Sequence, residues 1–330
     1  MQRRSLYNSL RMNWILDPTL DVAPWQVEDY RKLKSDQLFS RLQEISDICL
    51  DKDSFKAFAE AVDTPEDLTD DLLIDLNFSN EVRDQVYLIL FELWRRILPE
   101  RKSLSIFCDE LDRQICLYDE ETSDKGELLD ILDELQVVIE DNIDSGISPK
   151  EAGVCIQAEC ANQIDLFLRD YLLDLFEDQN NRYAKDLIDG LGEFLLEESW
   201  NQFFHALLLE KEDPKEANDL LEGLIEEDDP PPDLELNFEI LGLLARIGEK
   251  PAFLKLIKRA IGQLEIEDDF QTLLICAADF FHRLDQDFIE SALLDLLQSR
   301  KNLAYDRLFQ QQDKDLDKLK KIIPFQETTP

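Results

Sequence analysis

Apolar residues return along this chain with a period near 3.6, the spacing that lines one face of a helix. Leu128, Ile131, Leu132, Leu135, Val138 and Ile139 share one face of a helix expected to begin near Asp124. Phe238, Leu241, Leu244 and Ala245 mark a second helix, and Phe253, Leu254, Ile257 and Ile261 a third, with Gly248 and Pro251 punctuating the stop and restart between them. Segments 166–176 and 191–209 are apolar almost all round, which predicts helices covered on several sides. Three helix starts follow one plan: Thr64-Pro65-Glu66-Asp67, Ser148-Pro149-Lys150-Glu151 and Asp213-Pro214-Lys215-Glu216. Each offers a capping oxygen, proline where no N–H is needed, and an acid in the first turn. The pattern predicts about fifteen helices of ordinary length.

Composition agrees with an all-α reading. There are 57 Leu against 8 Val, 7 Thr and 9 Gly, so strand-forming residues are scarce. A hydrophobic fraction of 44%, with 19 Phe, is enough for a substantial core. The expected fold is a multi-helix array of antiparallel helical hairpins, with an α-solenoid of the HEAT or TPR kind in the C-terminal third. Shifting 238–261 by 35 residues lays Phe253 on Phe288, Leu254 on Ile289 and Ile261 on Leu296, although Leu244 falls on Asp279. The expected organisation is an N-terminal arm (1–25), a helical domain (26–226), an acidic proline-rich linker or loop (227–233), a helical-hairpin region (234–312) and a tail (313–330).

Charge sets the partners. The chain has 74 Asp plus Glu against 35 Lys plus Arg, a net charge of −39, and residues 17–312 alone carry −42. The acids are interleaved with the apolar rhythm, so a folded body must display them. Such a body attracts basic proteins and repels bare nucleic acid and anionic membrane. The densest stretch is 119–144, eleven acids against Lys125 alone, where Glu127, Asp130, Glu134 and Asp141 lie along one stripe opposite the leucine face. A second window, 210–239, holds thirteen acids and two lysines, among them Glu226, Glu227, Asp228 and Asp229. These residues are the expected contacts for a basic partner of a non-enzymatic scaffold or chaperone-like module. The alternative is a DNA mimic, whose helices would set carboxylates at separations like those of backbone phosphates and fill a partner's basic groove.

The N-terminal 16 residues carry Arg3, Arg4 and Arg11 and no acid. They are read as an arm lying on the protein's own acidic surface, or as a non-classical export signal; they lack the apolar run of a secretory leader. Six cysteines without CxxC spacing read as free thiols in a reducing, cytoplasmic compartment, and no run has the length of a membrane span. Neither zinc nor any other cofactor is implied.

Signals for catalysis are sparse. Asp70-Asp71-Leu72-Leu73-Ile74-Asp75 resembles the aspartate-rich motif of class I terpene synthases. Asn218-Asp219-Leu220-Leu221-Glu222-Gly223-Leu224-Ile225-Glu226 resembles their second motif, with Glu222 where Ser or Thr is expected. That resemblance spans fewer than twenty residues and implies magnesium held against a diphosphate. His205 sits in a buried-looking Phe-rich run and His282 at a helix end, both read as structural. Gly190-Leu191-Gly192 is too short for a phosphate loop. Two basic patches, Arg95/Arg96/Arg101/Lys102 and Lys255/Lys258/Arg259, are read as partners for acids on neighbouring helices.

Overall fold

The computed structural model of the 330-residue chain describes residues 3–226, 233–323 and 325, and these form an all-α fold. No strand occurs among the described residues; the extended pairing they show is an isolated bridge between Ile266 and Leu308. The chain separates into two compact units, Met1–Leu172 and Leu173–Pro330. Residues 227–232, the acidic and proline-rich break expected as a linker, lie outside the described residues. Among the described residues no helix is long and apolar enough to cross a membrane.

The first unit contains α1 (Arg3–Leu16), α2 (Pro24–Val27), α3 (Ser35–Ser46), α4 (Lys52–Ala59), α5 (Pro65–Leu73), α6 (Asn80–Ile97), α7 (Leu104–Asp119), α8 (Lys125–Asp144), α9 (Pro149–Glu159) and most of α10 (Ile164–Glu177). Its core is built around α6, whose residues 86–94 are all buried. α3 and α5 pack on α6, bringing Leu38, Leu42, Leu68 and Leu73 to the side chains of Tyr87, Phe91 and Trp94. Glu92 is buried in this helix because Arg95 and Arg96, one turn on, cover it with charge-assisted bonds. The Trp94 indole N–H donates to the Arg101 carbonyl at 2.8 Å, so the largest core side chain leaves no orphaned donor.

Residues 3–16, inside the segment expected as an arm, are helix α1, which packs against α7 and buries Ser5 and Tyr7. Its arginines meet acids of the same unit: Arg3 reaches Asp84, Arg4 reaches Asp109 at 2.7 Å and Arg11 reaches Asp29 at 3.0 Å.

The second unit holds the end of α10, then α11 (Asn181–Leu187), a π-helical turn (Ile188–Gly192), α12 (Glu193–Leu195), α13 (Glu198–Leu209), α14 (Pro214–Glu226), α15 (Leu234–Ile247), α16 (Lys250–Gln263), α17 (Glu267–Arg283), α18 (Asp287–Arg300) and α19 (Lys314–Ile322). α13 packs on α14, α15 on both α16 and α17, and α17 on α18. Phe253 stacks on Phe280 with ring centroids 3.7 Å apart, and Phe281 meets both rings edge-on. The 35-residue correspondence holds at Ile261 and Leu296, both buried. It breaks at Phe253, which is fully buried, against Phe288, which is 87% exposed.

The three proline-led helix starts form as their spacing predicts. Thr64 Oγ1 accepts from the Asp67 N–H at 3.1 Å, and Asp213 Oδ1 from the Glu216 N–H at 3.1 Å; the Glu151 carboxylate accepts from the Ser148 N–H at 3.3 Å. The two segments expected to be apolar all round differ. In 191–209 Trp200, Phe203, Phe204, Ala206 and Leu207 are buried, whereas in 166–176 Leu166 is exposed and Tyr171 and Phe176 are half-buried.

Candidate functional site

The acidic stripe of the first unit stands on α8. Asp124 caps it, its Oδ1 accepting from the N–H of Gly126 at 2.8 Å and of Glu127 at 3.3 Å. Leu128, Ile131, Leu132, Leu135 and Ile139 are buried, which fixes the helix's rotation. The opposite face is then forced outward: Glu127, Asp130, Asp133, Glu140, Asp141 and Asp144 are exposed, as is Val137. From Asp130 to Asp144 this face runs about 21 Å at the helical rise per residue.

The four stripe residues have different surroundings. Glu134 is half-buried and pairs with Lys102 of the α6–α7 connection at 2.6 Å. Glu127 accepts a hydrogen bond from Gln114 of α7 at 3.1 Å. Asp130 and Asp141 face solvent. α9 packs beside α8 and carries exposed Val154. In the second unit α14 exposes Glu216, Asp219, Glu222 and Glu226 along one side and buries Ala217, Leu221, Leu224 and Ile225. Glu227, Asp228 and Asp229 lie outside the described residues.

Basic side chains go largely elsewhere. In the first unit Asp109 of α7 is buried and receives Arg4 at 2.7 Å, Arg31 at 2.6 Å and Asn8 at 3.0 Å. Burial would raise its pKa, but Arg4 and Arg31 outweigh that and hold the carboxyl well below the usual range. One turn on, Asp112 has the opposite balance. Burial lifts it above its ordinary value despite hydrogen bonds from the N–H groups of Ala161 and Asn162, each at 2.9 Å. A cavity of about 240 Å³ opens beside these groups, lined by Arg4, Asn8, Arg31 and Cys116 among others. Its arginines are engaged with carboxylates, which marks it as a satisfied polar network rather than a vacant receptor.

The second unit has an equivalent knot. Arg300 is buried and pairs with Glu267, with Asp313 at 3.2 Å and with Asp315 at 2.7 Å. The rings of Phe270 and Phe309 lie 4.8 and 5.8 Å from its guanidinium carbon. Arg101 donates to the carbonyls of Ala59 and Val62, and Arg283 to those of Ala245 and Gly248, so both join connections within their units.

The two motifs resembling terpene-synthase magnesium sites lie in different units. Asp70, Asp71 and Asp75 are exposed on and just after α5. Asn218 of α14 spends its amide on the carbonyls of Pro214, at 2.9 Å, and Ile247, at 3.0 Å. Among the described residues no group of three or more His, Cys, Asp or Glu side chains is arranged to hold a metal ion. His282 is exposed in the last turn of α17, with Nδ1 3.0 Å from Glu290 Oε1. His205 is half-buried and lines a second cavity, between α11 and the end of α13.

Comparison with protein-family models, with curated proteins and with solved structures gives no match in any of the three.

Proposed function

We propose that this protein is a non-enzymatic interaction module whose acidic helical faces, above all the exposed face of α8, bind a basic protein partner in a reducing compartment. One observation carries the reading. Arginines are drawn into buried ion pairs while six carboxylates on α8 stay exposed on a helix whose rotation the core fixes. Four like-charged pairs on that face stand three or four residues apart: Glu127/Asp130, Asp130/Asp133, Glu140/Asp144 and Asp141/Asp144. At a few tenths of a kcal/mol each, they destabilise the free helix by about 1–2 kcal/mol, which a cationic partner relieves. That corresponds to about 5- to 30-fold in affinity.

A fluorescently labelled lysine-rich peptide serves as the probe. Raising ionic strength from 0.01 to 0.15 M shortens the screening length from about 30 to about 8 Å, and binding should weaken at least tenfold, mostly through slower association. Converting Asp130, Asp133, Glu140, Asp141 and Asp144 to their amides should cost the 5- to 30-fold worked out above. Equal affinity before and after that change would refute the assignment to α8. Displacement of a natural partner by duplex DNA would instead identify nucleic-acid mimicry.

A further inference from the structure

The second cavity reverses the electrostatic character of the chain. It is an open cavity of about 450 Å³ within the second unit, between α11 and the C-terminal end of α13. Arg182 and Lys185 stand three residues apart on α11, and Asp189 follows four residues later on the same wall. His205 faces them from α13, Lys211 from the turn that follows, and Leu208 and Leu209 supply an apolar portion. Among the described residues no carboxylate forms an ion pair with Arg182, Lys185 or Lys211. That sets them apart from Arg4, Arg31 and Arg300, each tied to one or more acids.

The walls are brought together by backbone. After Leu187 the helix widens into a π turn, Ile188–Gly192, and π turns recur at functional sites. A Cβ at Gly192 would stand 2.4 Å from Asn201 Oδ1, so the turn lies close against the α13 side chain one turn before His205.

We propose that this cavity is a binding site for a phosphorylated small molecule. Its volume falls within the usual range for small-ligand sites, about 300–1,000 Å³. A guanidinium and two ammonium groups from opposite walls supply the donors that a phosphate takes, the arginine as a fork and the lysines as point charges. Leu208 and Leu209 would take the less polar body of the ligand. The net charge of −39 does not forbid this. At physiological ionic strength charges beyond about 8 Å are largely screened, whereas three cations in contact with the anion are not. Asp189 and Glu212, the two acids of the lining, leave the three cations one charge in excess.

Pyrophosphate is the probe, titrated calorimetrically and by phosphorus NMR into the full-length protein in 0.15 M sodium chloride. Saturable one-to-one binding is expected, weakened at least tenfold in Arg182→Gln/Lys211→Gln and partly retained in Arg182→Lys. Both substituted side chains are exposed, and circular dichroism checks that the variants fold. Lys301→Gln, an exposed lysine elsewhere in the same unit, and the α8 amide variant should bind as the parent does. Absence of saturable binding, or an equal loss in Lys301→Gln, overturns the site. A phosphoserine peptide that binds more tightly than pyrophosphate overturns the small-molecule assignment.

Discussion

Replacing Asp109 by Asn removes one negative charge from beneath two arginines and tests whether the interior of the first unit depends on that charge. The Asp109 side chain is 2% exposed, and those of Arg4 and Arg31 are 14% and 18% exposed. The amide keeps the shape and one acceptor but leaves Arg4 uncompensated; Arg31 retains Glu110 at 2.8 Å. Removing one partner from a buried ion pair costs about 3–5 kcal/mol, and the lower half applies here because Arg31 keeps a second acid. Hydrogen exchange followed by mass spectrometry is the suitable assay, since it reads α1 and α7 separately from the second unit. Exchange of α1 and α7 amides should speed up by about 150-fold or more at pH 7, with α15–α18 unchanged. The sign with pH follows from the depressed pKa of Asp109. Its contribution is complete above the unfolded carboxylate value of about 4 and is lost as pH falls towards the lower folded-state value, so the parent and Asp109→Asn should converge in acid. Acceleration below about fivefold, or spread equally over both units, would refute the reasoning.

Arg300→Lys keeps the charge but cannot reach Glu267, Asp313 and Asp315 together, so α19 should exchange at least tenfold faster while α15 and α16 hold. His282 is raised above its ordinary pKa by its hydrogen bond to Glu290. Its small contribution is therefore present below about pH 6.5 and lost as pH rises through the folded value; NMR titration should show Glu290→Gln lowering that midpoint, and no change would remove the pair. Cys276 is half-buried, and desolvation pushes its thiol up to about 12, whereas Cys108 and Cys160 are buried. A thiol reagent at pH 8 should therefore modify exposed Cys49 and Cys155 quickly, Cys276 slowly because its thiolate is scarce, and Cys108 and Cys160 only on unfolding. Rapid modification of Cys276 in the folded protein would contradict the packing around α17.

What the sequence could show was local. Proline at the first helical position with a capping oxygen before it identified α5, α9 and α14 because every partner lies within three residues. The leucine face of α8 was equally legible, and with it the outward set of acids, because an amphipathic helix can be rotated only one way. Long-range choices were not. Arg4 and Asp109 are 105 positions apart, and nothing in either neighbourhood announces their pairing. The burial of 86–94 was not foreseen either: Arg95 and Arg96, expected to pair with acids on neighbouring helices, pair instead with Glu92 one turn back in their own helix. His205, read as part of a buried run, is half-buried while Phe203 and Phe204 beside it are buried. It lines a cavity whose other wall begins more than twenty residues earlier, so the grouping of Arg182, Lys185 and Lys211 exists only once α11 faces α13.

A total of −39 is not the field that any ligand meets. Beyond about 8 Å at physiological salt a charge contributes little, so each surface is governed by its own short inventory. On α8 that inventory is six exposed acids and Lys125 at the helix start; in the cavity beside α13 it is Arg182, Lys185 and Lys211 against Asp189 and Glu212. The arginines that would have diluted the first are spent in the interior, where pairing offsets the cost of desolvating Asp109, Glu92 and Glu267. Exchanging buried pairs for apolar residues of similar volume would leave α8 as acidic as before, whereas moving a single lysine onto its outer face, as in Val137→Lys, places a cation within one turn of Asp133, Glu140 and Asp141. If short-range charges govern binding, this one substitution weakens capture of the lysine-rich peptide more than adding a lysine at exposed Ile74, although both change the net charge equally. Equal effects would mean that total charge governs recognition after all.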